Sequence, residues 1–275
     1  MEKRRTLLKL LLLSPLSRFI GSVMIALGLG AYTGAKVYYK TYYVSRKIEN
    51  TNKIILPFPT LIGMMSVEEA LASRRSIREY TGDPVPLEKL SQILWAAYGI
   101  SEVRWGLRTA PSAGACYPLE IYVMVSSNGV ISDDEYIAAG IYHYNVQTHA
   151  LELIRPGDFR EDLYKAALEQ EWVRKAPISI VITAIYERTT QRYGERGRIR
   201  YVHMDLGHVG QNIYLQATAL SLGTVAIGAF HDDDVRKIIG LPEYEEPLYI
   251  MPLGVPLWRH RLSQEELKNF YSKHR

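Results

Sequence analysis

Ile178-Ser179-Ile180-Val181-Ile182-Thr183-Ala184-Ile185-Tyr186 is the strongest strand signal in the chain, an uncharged run dominated by β-branched residues. A second buried-strand pattern, rich in Ile, Val and Tyr, covers residues 119–126, and residues 248–254 read as the last core strand. Residues 140–145 and 151–154 read as a hairpin. Helix signals are interleaved with these. Asp158-Phe159-Arg160-Glu161 has the form of a capping box, and so does Ser263-Gln264-Glu265-Glu266. Asp232-Asp233-Asp234 stands where anions favour a helix start. Residues 203–222 read as one long helix stopped at Gly223. Helices around a mixed sheet imply an α+β domain.

The net charge of +4 hides two unlike parts. Residues 1–47 hold nine Lys/Arg and one acid, which leaves 24 basic and 28 acidic residues in the remainder. That remainder is net negative, without the basic footprint of a nucleic-acid binder. The single cysteine, Cys116, excludes an intrachain disulfide and reads as a small packed hydrophobe.

Residues 1–45 join a basic start to an apolar run. Residues 19–35 carry no charge and are flanked by Arg18 and Lys36. A helix of that length spans about 25 Å, a little less than a bilayer's hydrocarbon layer. A membrane anchor is one reading. Lys3-Arg4-Arg5-Thr6-Leu7 also resembles a twin-arginine export signal, with Thr33-Gly34-Ala35 as a cleavage site. A cytoplasmic amphipathic extension is the third. Residues 46–62, which include Pro57-Phe58-Pro59, read as linker, and residues 63–275 as the folded domain.

Two motifs in that domain carry chemistry. Arg74, Arg75, Ser76 and Arg78 pack three guanidiniums and a hydroxyl into five residues, which suits a phosphate. Pro111, Ser112, Ala113 and Gly114 form a small-residue loop that lets backbone approach a flat ligand. Together they point to a phosphorylated planar cofactor. His203, Asp205 and His208 make a poor metal site, because His203 and His208 lie about 140° apart around a helix.

Around these motifs the chain resembles the nitroreductase superfamily of FMN flavoproteins, over roughly residues 64–255. The likeness rests on the helix opening at Ser66-Val67-Glu68-Glu69, the segment 87–99, Arg108-Thr109-Ala110 leading into the small-residue loop, the segment 207–215, and Gly223-Thr224-Val225-Ala226-Ile227-Gly228-Ala229-Phe230. Within the superfamily it is most similar to SagB-type dehydrogenases, which include azoline oxidases. The resemblance implies an α+β nitroreductase-like fold and a homodimer that binds FMN. It places Arg74, Ser76 and Arg78 on the phosphate, ribityl chain or ring edge, with Arg75 contributing mainly backbone. Pro111, Ser112, Ala113 and Gly114 would lie against the ring, and Ile227, Gly228 and Ala229 would offer backbone N–H groups to it. Arg259 and Arg261 are candidates for a second phosphate contact. Azoline oxidases carry a Lys-Tyr pair where Arg192 and Tyr193 stand here, so these two are the candidate catalytic residues. The implied activity is hydride exchange between a donor such as NAD(P)H and an organic acceptor. Azoline-type dehydrogenation and a non-catalytic flavin protein at the membrane are the alternatives.

Overall fold

The computed structural model describes residues 53–275. In chain order its strands are β1 (Lys53–Ile55), β2 (Val85–Pro86), β3 (Ile100–Glu102), β4 (Leu107–Arg108), β5 (Leu119–Val125), β6 (Val130–Ser132), β7 (Glu135–Tyr136), β8 (Gly140–Asn145), β9 (Ala150–Pro156), β10 (Ile178–Ala184), β11 (Gly223–Thr224) and β12 (Glu246–Gly254). Its α-helices are α1 (Val67–Ser73), α2 (Leu87–Tyr98), α3 (Arg160–Ala166), α4 (Glu171–Lys175), α5 (Glu187–Tyr193), α6 (Val202–Ala219), α7 (Asp232–Ile239) and α8 (Gln264–His274).

One seven-stranded sheet organises the domain, in the order β1-β9-β8-β5-β10-β12-β11. Every pairing within it is antiparallel. The expected mixed sheet is therefore antiparallel in its body. Among the described residues, parallel pairing is confined to β2 with β6 and to a bridge between Ser76 and Thr224. β10, the strand with the clearest sequence signal, lies at the centre and is buried along its whole length. Part of the stretch read as linker is β1, which pairs with β9 at the sheet edge.

The sheet is covered on both faces. Tyr122, Met124, Val181 and Ile250 pack with Leu163 of α3, Val173 of α4 and Val235 and Ile239 of α7. Strand alternation turns Ile121, Val123, Ile180 and Ile182 to the opposite face, where they are also buried. There α6 packs on β5 and against α2. Gly210 of α6 lets the helix approach the Tyr249 ring, since a Cβ there would lie 3.2 Å from it.

Local signals set most helix ends. Ser66 and Glu69 form a capping box on α1, as Ser263 and Glu266 do on α8. The box expected at Asp158 does not form. The Asp158 carboxylate is taken by the Ser127 N–H and the Arg160 guanidinium, and α3 opens at Arg160 without a side-chain cap. α6 ends at Ala219, before Gly223. Ser221 takes the left-handed conformation (φ 63°), and Leu222 N–H returns to Ala217 O at 2.8 Å. Gly223 serves a close approach instead, because a Cβ there would lie 2.7 Å from Ile77. Among the described residues no helix is long and apolar enough to cross a membrane. The apolar run at 19–35 and the export-signal motif lie outside the described residues.

Candidate functional site

The arginine motif is stitched to the sheet edge. Ser76 bridges Thr224, and Ile77 N–H donates to Thr224 O at 2.9 Å. Beside it is a cavity of about 110 Å³ whose lining includes Arg75, Tyr214, Thr224, Arg259, His260 and Arg261. Arg75 Nη2 lies 2.5 Å from His260 Nε2. A guanidinium only donates, so Nε2 accepts. Arg259 donates to Ser221 O at 3.2 Å. Three guanidiniums around a small cavity match a phosphate's size and charge. Arg75, expected to contribute backbone, lines this cavity with its two C-terminal partners. Arg74 stands 5.1 Å above the Tyr214 ring, and Arg78 stands 5.3 Å above the Trp172 ring.

Tyr214 connects this cavity to the second loop. Its hydroxyl accepts the Ala226 N–H at 2.7 Å and lies 3.1 Å from Ser76 Oγ. The turn that follows holds Ile227, Gly228 and Ala229. Ile227 and Ile250 exchange both backbone bonds, at 2.9 and 3.0 Å, so the Ile227 N–H is already committed. Gly228 and Ala229 are exposed.

The small-residue loop sits at the other end of α6. Gly114, Ala115 and Tyr117 all have positive φ (61°, 53° and 47°), a conformation that L-residues adopt at a cost. It is held from several directions. His208 Nδ1 donates to Pro111 O at 3.2 Å. Ser112 Oγ accepts the Tyr117 N–H at 2.9 Å. Tyr117 Oη accepts the Arg108 N–H, and Tyr117 O accepts from Arg188. Arg188 in turn pairs with half-buried Glu120 at 2.5 Å. Burial alone would raise the Glu120 carboxyl; the charge of Arg188 and the hydrogen bond from His143 outweigh it and hold the group well below the usual carboxylate range. Cys116 is buried in this loop, and burial pushes its thiol up.

Asp205 lies under the loop, buried, with Oδ2 lacking a hydrogen-bond partner. Burial raises its carboxyl, while hydrogen bonding from the Ser112 side chain and the Ala113 backbone offsets part of that. Asp205 and His208 are three residues apart and so share one face of α6. Set aside as metal ligands in the sequence, they hold the loop instead. Their spacing was the available signal.

Arg192 and Tyr193 close over the same loop. Arg192 Nη1 donates to Gly114 O at 3.3 Å. A Cβ on Gly114 would lie 2.6 Å from Tyr193 Oη and 2.8 Å from Arg192 Nη1. The loop and the pair, separate in the sequence, are thus in contact.

Tyr214 lies six residues beyond His208, about 9 Å along the helix axis. α6 therefore spaces a basic, phosphate-sized cavity from a close-approach loop, with polar backbone between. The residues present fit a flavin mononucleotide: Arg75, Arg259 and Arg261 for the phosphate, Ser76 and Tyr214 for the hydroxylated chain, and Pro111, Ser112, Ala113 and Gly114 for the ring.

The Nitroreductase family model matches residues 71–255. A nitroreductase-like protein of Methanocaldococcus jannaschii is 48% identical over 190 residues, covering 69% of this chain and 91% of its own length. A nitroreductase-like structure from Ralstonia eutropha superposes with a TM-score of 0.65 at 29% identity, covering 76% of this chain and 91% of that one. The microcin B17-processing protein McbC of Escherichia coli is 24% identical over 202 residues, 72% of this chain and 73% of its own. With six of the seven strands of its main sheet, its arginine motif and its small-residue loop inside the matched span, the chain belongs to the nitroreductase family of oxidoreductases.

Proposed function

We propose that this protein is an FMN-dependent oxidoreductase that moves hydride from a donor such as NAD(P)H to an organic acceptor. The observation that supports this most is the meeting of two distant motifs on one helix. Tyr214 reaches Ser76 and the arginine cavity, while Asp205 and His208 reach the 111–114 loop. A bound flavin supplies the redox chemistry. The chain's own part is binding and orientation. Arg75, Arg259 and Arg261 neutralise the phosphate, with Arg74 and Arg78 adding positive charge nearby. Gly114, lacking a side chain, admits Arg192 and Tyr193 against its backbone, which brings that pair to the edge of the loop. Tyr193 holds a proton at Oη beside that loop and can donate it to a substrate atom. The Arg192 guanidinium has donors and no acceptor, so its part is to orient and neutralise.

A second reading, azoline-type dehydrogenation, is favoured by one observation. Arg192 and Tyr193 touch Gly114, as a catalytic pair working beside the flavin would. The likeness to a microcin-processing protein adds support. The departure from Lys to Arg weighs against the same proton transfer.

The proposal extends to assembly and location. A homodimer fits the exposed apolar side chains beside α6: Leu61, Ile62, Met64 and Val67 rim a cavity of about 520 Å³, and Ile62 is 90% exposed. Residues 1–45 would hold the protein at a membrane or direct its export; cell fractionation with sequencing of the mature N-terminus separates these fates.

Reduction of the purified full-length protein under anaerobic conditions tests the function. Flavin bleaching by NADH or NADPH, with recovery on adding a nitroaromatic, is the expected result. Bleaching only by an azoline-containing peptide would favour the second reading. A protein that binds flavin and reacts with neither would contradict both.

A further inference from the structure

The segment from α5 to the start of α6 carries arginines that have no acidic partner among the described residues. Five lie between residues 188 and 200. The ion pairs of this stretch among the described residues belong to Arg188, with Glu120, and Arg198, with Glu246. Arg192 and Arg196 are exposed and make other contacts. Arg192 donates to Gly114 O and lies 5.4 Å from the Tyr193 ring centre. The Tyr193 ring meets Tyr201 edge to face at 5.0 Å. Arg196 Nε donates to Tyr201 Oη at 3.1 Å, with its guanidinium 5.9 Å from that ring. The result is a ladder of cation, ring, ring and cation, anchored on the loop where the cofactor ring fits. Tyr201 comes from a π-helical turn, Gly197–Tyr201, a form that recurs at functional sites. Gly194, at φ 57°, separates that turn from α5.

We infer that Arg192 and Arg196 recognise an anionic group, a carboxylate or phosphate, on the molecule that meets the cofactor ring at the 111–114 loop. This rests on the flavin reading above and adds a substrate class to it. Exposed cations are ordinarily solvated and contribute little. These two differ in being held by aromatic faces and by fixed oxygen acceptors, so less side-chain freedom is lost when an anion binds. A planar acid can place its ring against the tyrosines and its charge against a guanidinium fork. The anion has two sources, an acidic organic acceptor or the phosphates of a dinucleotide donor.

Two paired measurements on the purified protein separate these. The first is calorimetric binding of benzoate against benzamide, which differ in charge and little in shape. The second is kcat/KM for NADPH against NADH, which differ by one phosphate. An acidic acceptor predicts that benzoate binds about tenfold more tightly, and that Arg192→Gln brings the two ligands to within about twofold while Arg192→Lys keeps part of the difference. An anionic donor predicts instead a preference for NADPH that Arg192→Gln or Arg196→Gln removes. Both preferences should weaken at high salt. The absence of both preferences in the wild type, or their survival in both Gln variants, overturns the inference. A purified protein that carries no flavin would instead overturn the functional reading beneath it, and is read separately from absorbance.

Discussion

At the residue scale, the account turns on how few side chains fix the loop at 111–117. Gly114 is required twice, by its left-handed backbone and by the Tyr193 and Arg192 atoms where a Cβ would go. Gly114→Ala is expected to cost about 1–2 kcal/mol from the backbone alone and to push that pair away, lowering turnover more than stability; thermal unfolding and steady-state rates measure the two. Asp205 offers a test with the opposite sign. Its carboxyl is raised by burial, so its contribution to stability is greatest at low pH and is lost as pH rises through the folded value. Asp205→Asn removes a buried charge and should raise Tm by about 2–4 °C near pH 7. The gain should shrink as pH approaches about 4, where the unfolded carboxyl titrates. A gain that stays the same across that range would show the charge is not the cause.

At the scale of elements, α6 carries the site, and its most informative residue is Tyr214. Tyr214→Phe deletes a hydroxyl that meets both Ser76 and the Ala226 N–H. The loss is expected to cost about 1–2 kcal/mol and to reduce the flavin retained on purification, measured as the ratio of flavin to protein absorbance. The sequence revealed the elements better than their ends. β10 and β5 were legible because short runs dense in Ile, Val and other buried-strand residues, bounded by turn signals, leave little choice of structure. The α6 stop was misplaced to Gly223, because Ser221 rather than a glycine adopts the left-handed turn. The failed capping box at Asp158 has a similar cause: the carboxylate found Ser127 and Arg160, partners that spacing does not encode. The site was legible as motifs and not as an arrangement. Nothing local to residues 74–78 says that Arg75, rather than Arg74 or Arg78, joins Arg259 and Arg261. Nor does residue 192 reveal that it will rest on Gly114. Both contacts depend on how the sheet edge and α6 bring distant segments together.

At the scale of the whole molecule, two claims remain to be joined: the chain pairs with a second copy, and it carries its cofactor in every copy. The exposed apolar residues beside α6 predict a dimer in light scattering of protein lacking residues 1–45, and a stable flavin-loaded monomer would refute it. The central claim is the cofactor. Protein purified after expression without added flavin, then denatured to release its chromophore for mass spectrometry, tests it most directly. The account predicts FMN, close to one per chain, falling sharply when Arg75 and Arg259 are both replaced by Ala. A colourless protein, or one releasing riboflavin without its phosphate, would contradict the assignment of the arginine cavity.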